Sequence, residues 1–164
     1  MKIVYIVVAI IAGIVLLFFI IGLLLPKERV VTRQSVYPVT PDVLYSIVLN
    51  NDDWQYRTGL KNLVIIEKNY DYEIWEETTL DGVTIRFTTK EKRPFSFYSF
   101  DMDSKMFSGY WTATFEPVNN NETIFTATEY ISVKNPIIKV LSYLFFDIEK
   151  LMDNYQNDLR NKID

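Results

Sequence analysis

The chemistry open to this 164-residue chain is limited by the absence of Cys and His. Without them there is no thiol nucleophile, no imidazole base and no Cys/His zinc site. Glu129 is the most informative carboxylate, because it alternates with Phe125, Ala127 and Ile131 on the apolar face of a predicted strand. A carboxyl buried on that face would have a raised pKa, and it would orient a polar ligand group or act as a general acid or base.

Two other arrangements of Glu129 remain open. A bulge would turn its carboxylate to solvent, and Arg57 or another cation would pair with it. Glu76 and Glu77 are neighbours on a strand and point to opposite faces, so they form no catalytic pair. Asp101 and Asp103 alternate and share the wet face, and we expect all four acids to lie on a solvated surface. The sequence places no two catalytic groups together, so it predicts no catalytic residue, no metal site and no cofactor.

Residues 3–25 form an uncharged run in which only Gly13 and Gly22 are not apolar. A helix of this length reaches roughly 34 Å, enough to cross a hydrocarbon core of about 30 Å. The run ends without a small-x-small cleavage site and without a lipobox cysteine, which favours an uncleaved anchor over a secretory signal. We therefore divide the chain into a transmembrane anchor, residues 1–26, and a domain over residues 27–164.

The charges that flank this run bear on its orientation in the cell membrane. The amino terminus and Lys2 lie on one side, whereas Lys27, Arg29 and Arg33 lie on the other. By the positive-inside rule, a margin of one charge favours a single-pass protein whose domain is cytoplasmic.

The remaining residues carry the patterns of an α+β domain. Val30–Tyr37 has β character, and Thr40-Pro41-Asp42 begins a helix with a hydroxyl N-cap, a proline and an acid in the first turn. Trp54–Leu60 is predicted as a second short helical turn, and Ile137–Asn161 as one long amphipathic helix. Six predicted strands of period two lie between them: Leu63–Lys68, Tyr72–Thr79, Val83–Lys92, Phe95–Asp103, Phe107–Val118 and Glu122–Val133.

The links between these strands are short and turn-like, which favours an antiparallel meander. The alternation in the last two strands predicts one apolar and one wet face. The long amphipathic helix has an obvious place to pack on the apolar face.

This order of elements resembles the helix-grip fold, in which a curved antiparallel sheet of about seven strands wraps around a C-terminal helix. The motifs are similar to those of the START and birch-pollen-allergen-like proteins, the polyketide cyclase/dehydrase-type (SRPBCC) group. Residues 38–45 resemble its Ala-Pro-x-x-Val-(Phe/Trp) motif, with Thr40 in place of the usual alanine, and residues 56–60 its Trp-Arg-x-x-Leu segment, with Tyr56 in place of tryptophan. The group's tail motif is matched by Gly109-Tyr110-Trp111, Phe115-Glu116-Pro117, Thr123, Thr128-Glu129 and Asn135-Pro136.

The resemblance covers roughly residues 30–161 and implies a cavity between sheet and helix for an apolar or amphipathic ligand. Arg57 would cap one end of it and grip a carboxylate or phosphate head group, or else form a surface ion pair. The same apolar residues would alternatively fill the core. The residues expected on the cavity wall are Phe87, Trp111, Phe115, Phe125, Glu129, Ile131, Leu141, Phe145 and Ile148.

These features predict a membrane-anchored protein that binds a hydrophobic small molecule or lipid, with the membrane reached through residues 3–25. The alternatives are a cyclase/dehydrase-type enzyme that uses a buried carboxylate and an interaction protein with a filled core. Without His or Cys, binding is favoured over catalysis. The net charge of −4 and the lack of a basic stripe argue against a nucleic-acid partner.

Overall fold

The apolar N-terminal run forms one helix, α1 (Lys2–Leu24), in the computed structural model, which describes residues 1–163. Its side chains are exposed along almost the whole length, and Gly22 is its buried residue. The helix is long and apolar enough to cross a membrane, as the sequence predicts.

The domain that follows is built on one antiparallel sheet of seven strands in the order β1-β7-β6-β5-β4-β3-β2. Its strands are β1 (Glu28–Tyr37), β2 (Leu60–Lys68), β3 (Glu73–Thr79), β4 (Thr84–Arg93), β5 (Phe97–Asp103), β6 (Ser108–Asn119) and β7 (Glu122–Ser132). The predicted meander is confirmed, because each of β2 to β7 pairs with the next strand along the chain and β1 closes against β7. The helix-grip α+β fold is likewise confirmed.

The inner face of the sheet follows from strict alternation. In β7, Phe125, Ala127, Glu129 and Ile131 are buried, whereas their neighbours in the strand are half-buried. Gly109 on β6 lies opposite Ile131, and a Cβ at this glycine would come 2.0 Å from the Tyr130 carbonyl oxygen. Only glycine therefore lets β6 and β7 approach this closely.

Two short helices cross between β1 and β2. The first, α2 (Pro41–Val48), begins with proline after Thr40, as predicted, although the Thr40 side chain makes no capping hydrogen bond to the helix. Its buried residues Leu44 and Tyr45 lie on the side that packs against β6 and β7. The second is a 3₁₀ helix over Asn51–Tyr56, slightly earlier than the predicted turn.

The C-terminal region corrects one prediction, because the single helix expected over Ile137–Asn161 is two helices. These are α3 (Pro136–Phe145) and α4 (Ile148–Ile163), and Phe146 between them has extended backbone, with φ −116° and ψ 108°. The Asp147 carboxylate accepts a hydrogen bond from the Lys150 amide at 3.0 Å and so caps the new helix.

The break lets α3 and α4 pack against different partners. Helix α4 lies against β1 and the 3₁₀ helix, whereas α3 packs against α1. The Arg29 guanidinium on β1 donates to the carbonyl oxygens of Ser142 at 3.0 Å and Phe146 at 3.1 Å. The bond to Phe146 satisfies a carbonyl that a continuous helix would have satisfied internally, whereas the Ser142 carbonyl also accepts from the Phe146 amide at 3.0 Å.

Candidate ligand-binding cavity

A cavity of about 480 Å³ lies between the inner face of the sheet and α4. This volume falls within the range of small-molecule sites. The sheet contributes Trp75, Phe87, Tyr98, Phe100, Met102 and Trp111, and α4 contributes Leu151, Met152 and Tyr155. Apart from Gly59, the lining residues that are exposed to solvent cluster at the corner between α3 and α4: Phe145, Phe146, Asp147, Lys150, Leu151 and Asn154.

Aromatic rings form the sheet side of the cavity. Trp75 stacks on Phe87 with ring centroids 5.2 Å apart, and Phe100 stacks on Trp111 at 4.9 Å. Both stacks join residues that are directly paired across neighbouring strands, so the register of the sheet creates them. An edge-on contact of 5.3 Å between Trp75 and Phe100 links the two stacks. The wall is therefore made of interlocked rings with fixed orientations.

A half-buried ion pair lies at the polar end of the cavity. The Arg57 guanidinium donates to both Glu77 carboxylate oxygens, at 2.5 and 2.8 Å. The Trp75 indole N–H donates to the same carboxylate at 2.9 Å. Burial alone would lower the pKa of Arg57, but the charge and hydrogen bonds of Glu77 outweigh it and raise that pKa. The pair is bidentate and charged on both sides.

Glu129 supplies another carboxyl in the cavity, and this one is unpaired. It is 8% exposed and lies opposite Trp111 in the β6–β7 register. No hydrogen bond joins its carboxyl to any of residues 1–163. Burial raises the pKa of Glu129 to about 7, and the negative charge of Glu77 adds to the effect. The carboxyl therefore changes charge close to neutral pH.

Glu77 and Glu129 come from β3 and β7, which three other strands separate in the sheet. Neighbouring strands are about 4.8 Å apart, so a flat sheet would separate these residues by roughly 19 Å. Both line one cavity because the sheet is curved and its two sides face each other across α4. Strand order and curvature thus create the polar end.

Five of the residues named from the sequence line the cavity. Phe87, Trp111 and Glu129 do so from the sheet, Arg57 from the segment after the 3₁₀ helix, and Phe145 from the end of α3. Arg57 is paired with Glu77, which excludes the expected alternatives of a surface ion pair and of a pairing with Glu129.

The other five lie elsewhere. Phe115 and Phe125 contact each other and pack with Tyr45 and Tyr37 at the end of the sheet that α2 covers. Ile131 and Ile148 are buried in the core. Leu141 is partly exposed on α3, because the helix break takes that turn away from the sheet.

Sequence reasoning missed Glu77, Tyr98, Tyr155 and Asp158 as cavity residues. The solvated position expected for the Glu76-Glu77 pair holds for Glu76, whereas Glu77 is 4% exposed. A usable signal exists in the sequence, since Glu77 is two residues after Trp75 and therefore shares its inward face. The family resemblance predicts Arg57 at one end of the cavity, but nothing local in the sequence indicates that Glu77 is its partner.

Comparison with known proteins finds similarity in structure only. No protein-family model matches the sequence, and no curated protein matches it. An aromatase/cyclase from a Streptomyces species superposes with a TM-score of 0.70 and 10% identity, covering 83% of this chain and 93% of that one. Norcoclaurine synthase from Thalictrum flavum gives 0.65 and 10%, with coverage of 83% and 86%.

A START superfamily protein from Mycobacterium smegmatis gives a TM-score of 0.62 and 14% identity, with coverage of 82% and 96%. Norcoclaurine synthase has also been solved in complex with dopamine and hydroxybenzaldehyde. These likenesses show that the chain has the helix-grip fold of the START and birch-pollen-allergen-like proteins, which the sequence motifs predict. At such identities they show the fold alone.

Proposed function

We propose that this protein is a membrane-anchored binding protein that holds a hydrophobic small molecule or lipid between its sheet and α4. The observation that carries the proposal is the cavity of about 480 Å³, which aromatic rings line and in which one carboxyl has no partner. A cavity of this kind disfavours the alternative of an interaction protein with a filled core, because its walls forgo packing contacts that a ligand would restore.

The lining indicates the chemistry of the ligand. Flat ring surfaces at Trp75, Phe87 and Trp111 suit an apolar body, and Glu129 suits one hydrogen-bonding group. With its pKa near 7, the Glu129 carboxyl donates a hydrogen bond to a carbonyl when protonated and accepts one from a hydroxyl or amine when ionised. We assign the head-group contact to Glu129 in preference to Arg57, because Glu77 already occupies two donors of Arg57.

The anchor gives such a ligand a short route. Apolar molecules partition into bilayers, and α1 would hold the domain at the membrane surface. We propose a single-pass topology in the cell membrane with the anchor over residues 1–26. The flanking charges favour the cytoplasmic side for the domain.

The binding proposal is tested by narrowing the cavity. Ile85 lines it, whereas Ile65 is an equally half-buried strand isoleucine that does not. The full chain in detergent micelles would be titrated with cis-parinaric acid, a fluorescent fatty acid that accepts energy from tryptophan. Wild type and Ile65→Trp should saturate at the same probe concentration, and Ile85→Trp should need a higher one because its ring occupies part of the cavity. Equal saturation in all three proteins would place the probe outside the cavity.

A second candidate function is a cyclase/dehydrase-type enzyme, and one observation favours it. Glu129 has a pKa near the operating pH of a general acid or base, and it shares the cavity with Tyr98 and Tyr155. The similar folds of the aromatase/cyclase and of norcoclaurine synthase make this chemistry worth testing.

Mass spectrometry of molecules extracted from wild type and Glu129→Gln separates the two functions. A binding protein would yield the same molecule from both variants. An enzyme would accumulate its unconverted substrate only in Glu129→Gln, where the proton-transferring carboxyl is missing.

A further inference from the structure

Helix α3 has a different neighbour from every other helix of the domain. Its main packing partner is α1, whereas Ile138 alone of its apolar residues packs against the core of the sheet. The contact is between backbones, since a Cβ at Gly22 of α1 would lie 2.1 Å from the Pro136 carbonyl oxygen. Val140 of α3 is buried but lies outside the continuous hydrophobic core of the sheet. The start of α3 is therefore joined to the end of the apolar helix.

The C-terminal end of α3 is apolar and exposed. Leu144 is 61% exposed and Phe145 is 82% exposed, and Leu141 and Phe146 are partly exposed beside them. Other exposed apolar side chains of the domain lie one or two at a time along the chain, whereas these occupy one helix end. A contiguous exposed apolar patch of this kind marks an interaction surface.

The position of α3 along α1 indicates what covers this patch. Gly22 precedes the end of the apolar run at Leu25 by three residues, which corresponds to about 4.5 Å along the helix axis. The start of α3 therefore lies level with the last turn of the membrane-spanning segment. Arg29 holds the other end through its bonds to Ser142 and Phe146 and lies 4.5 Å from the Tyr143 ring centroid.

We propose that α3 is a second membrane contact that lies in the bilayer interface and inserts Leu144 and Phe145 between lipid acyl chains. This inference rests on the membrane anchoring proposed for α1. Helix α3 contacts α1 directly, where Gly22 meets the backbone of Pro136. Apolar residues on a short interfacial helix enter the headgroup and acyl boundary by about 5–10 Å.

The apolar patch on α3 adjoins the exposed part of the cavity. Phe145 and Phe146 belong both to the apolar patch and to the exposed part of the cavity lining. With α3 in the interface, the mouth of the cavity faces the bilayer. A ligand dissolved in the membrane then reaches the cavity without crossing water.

The absence of Cys from the chain makes the test direct. Single-cysteine variants Leu144→Cys, Phe145→Cys, Leu80→Cys and Leu16→Cys of the full chain would carry a nitrobenzoxadiazole fluorophore in phosphatidylcholine vesicles. Leu80 is a matched exposed leucine in the turn between β3 and β4, and Leu16 reports on the anchor. Quenching by doxyl-labelled phosphatidylcholine measures contact with acyl chains.

The proposal predicts that the fluorophores at positions 144 and 145 lose a large part, roughly half, of their emission to the doxyl lipid, and that the one at position 80 loses none. Quenching at position 16 without quenching at 144 and 145 would overturn the role of α3 and leave the anchor intact. Absence of quenching at position 16 would overturn the anchor itself. A blue shift at 144 and 145 without quenching would show that protein covers the patch, and this too would overturn the proposal.

Discussion

Aromatic residues line both ends of the sheet's inner face, but they are packed together at one end and form the wall of a cavity at the other. At the end covered by α2, the rings of Tyr37, Tyr45, Phe115 and Phe125 interlock and are buried. At the other end, aromatic residues of β3 to β6 form the wall of a cavity. The difference lies in what covers them, because α2 lies directly on β6 and β7 whereas the break between α3 and α4 leaves the corner open.

Buried polar groups differ between the two ends as well. At the closed end, the Tyr37 hydroxyl lies 2.7 Å from the Gln156 side-chain oxygen and the Thr123 hydroxyl donates to the Val39 carbonyl at 2.7 Å. At the open end, Glu129 has no such partner within the described chain. The unpaired carboxyl of Glu129 lines the cavity that we assign to ligand binding.

The largest expected effect concerns packing at the closed end. Phe125→Ala should lower the free energy of unfolding by about 4 kcal/mol, because its ring is fully buried among other rings. Phe87→Ala at the cavity should cost about half as much, since one side of this ring already faces empty space. Urea unfolding of the full chain in detergent micelles measures both, with Leu80→Ala as an exposed control. Equal losses at the two positions would show that the two ends are packed alike.

The next effect concerns the ion pair at the polar end. Arg57→Met should lower the free energy of unfolding by about 3 kcal/mol, because it leaves the Glu77 carboxylate buried without its cation. The double variant Arg57→Met/Glu77→Gln should recover most of this loss, since it removes the uncompensated charge. The same urea titrations measure both variants. A double variant as unstable as the single one would mean that Arg57 acts through packing alone.

A third effect depends on pH and concerns Glu129. An unfolded glutamate loses its proton near pH 4.3, whereas folded Glu129 does so near 7, so the folded state binds more protons between these values. Its contribution to stability therefore falls as pH rises through this window. Relative to wild type, Glu129→Gln should gain up to about 3 kcal/mol in the free energy of unfolding between pH 4 and pH 8.

The control for this pH effect is Glu116→Gln, which removes an exposed acid from the outer side of β6. Unfolding of the three proteins at several pH values provides the comparison. A difference between wild type and Glu129→Gln that stays constant with pH would show that the carboxyl reaches solvent.

The smallest effect on stability is expected at the open corner. Phe145→Ser should change the free energy of unfolding by less than about 0.5 kcal/mol, because this side chain is 82% exposed. In vesicles it should slow the transfer of cis-parinaric acid from the bilayer into the cavity, which stopped-flow energy transfer measures. Val118→Ser, at an exposed position away from the cavity, is the matched control. An unchanged transfer rate in Phe145→Ser would show that the cavity mouth does not face the membrane.

The sequence was sufficient for most of the fold, because its signals are local. Alternation in Phe125, Ala127 and Glu129 gave the inward face of β7, and the turn residues gave the six-stranded meander. The break at Phe146 was missed because the apolar period of α3 continues into α4, and the cap provided by Asp147 is a single side-chain contact.

The cavity was harder to predict from the sequence than the fold, because its lining depends on the curvature of the sheet. Glu77 and Glu129 are 52 positions apart along the chain, and no spacing rule links β3 to β7. Arg57 was expected near the cavity, but its partner depends on which carboxylate the curved sheet brings to it. The distinction between Phe87 at the cavity and Phe115 in the core depends on the position of α2, which periodicity does not report.

Native mass spectrometry of the full chain, purified from cell membranes and released from detergent, tests the central claim most directly. Wild type and Ile65→Trp should each carry one bound small molecule or lipid of the same mass. Ile85→Trp, whose added ring occupies part of the cavity, should carry this molecule on a smaller fraction of the protein. Bare protein in all three samples, or equal occupancy in all three, would contradict a ligand held between the sheet and α4.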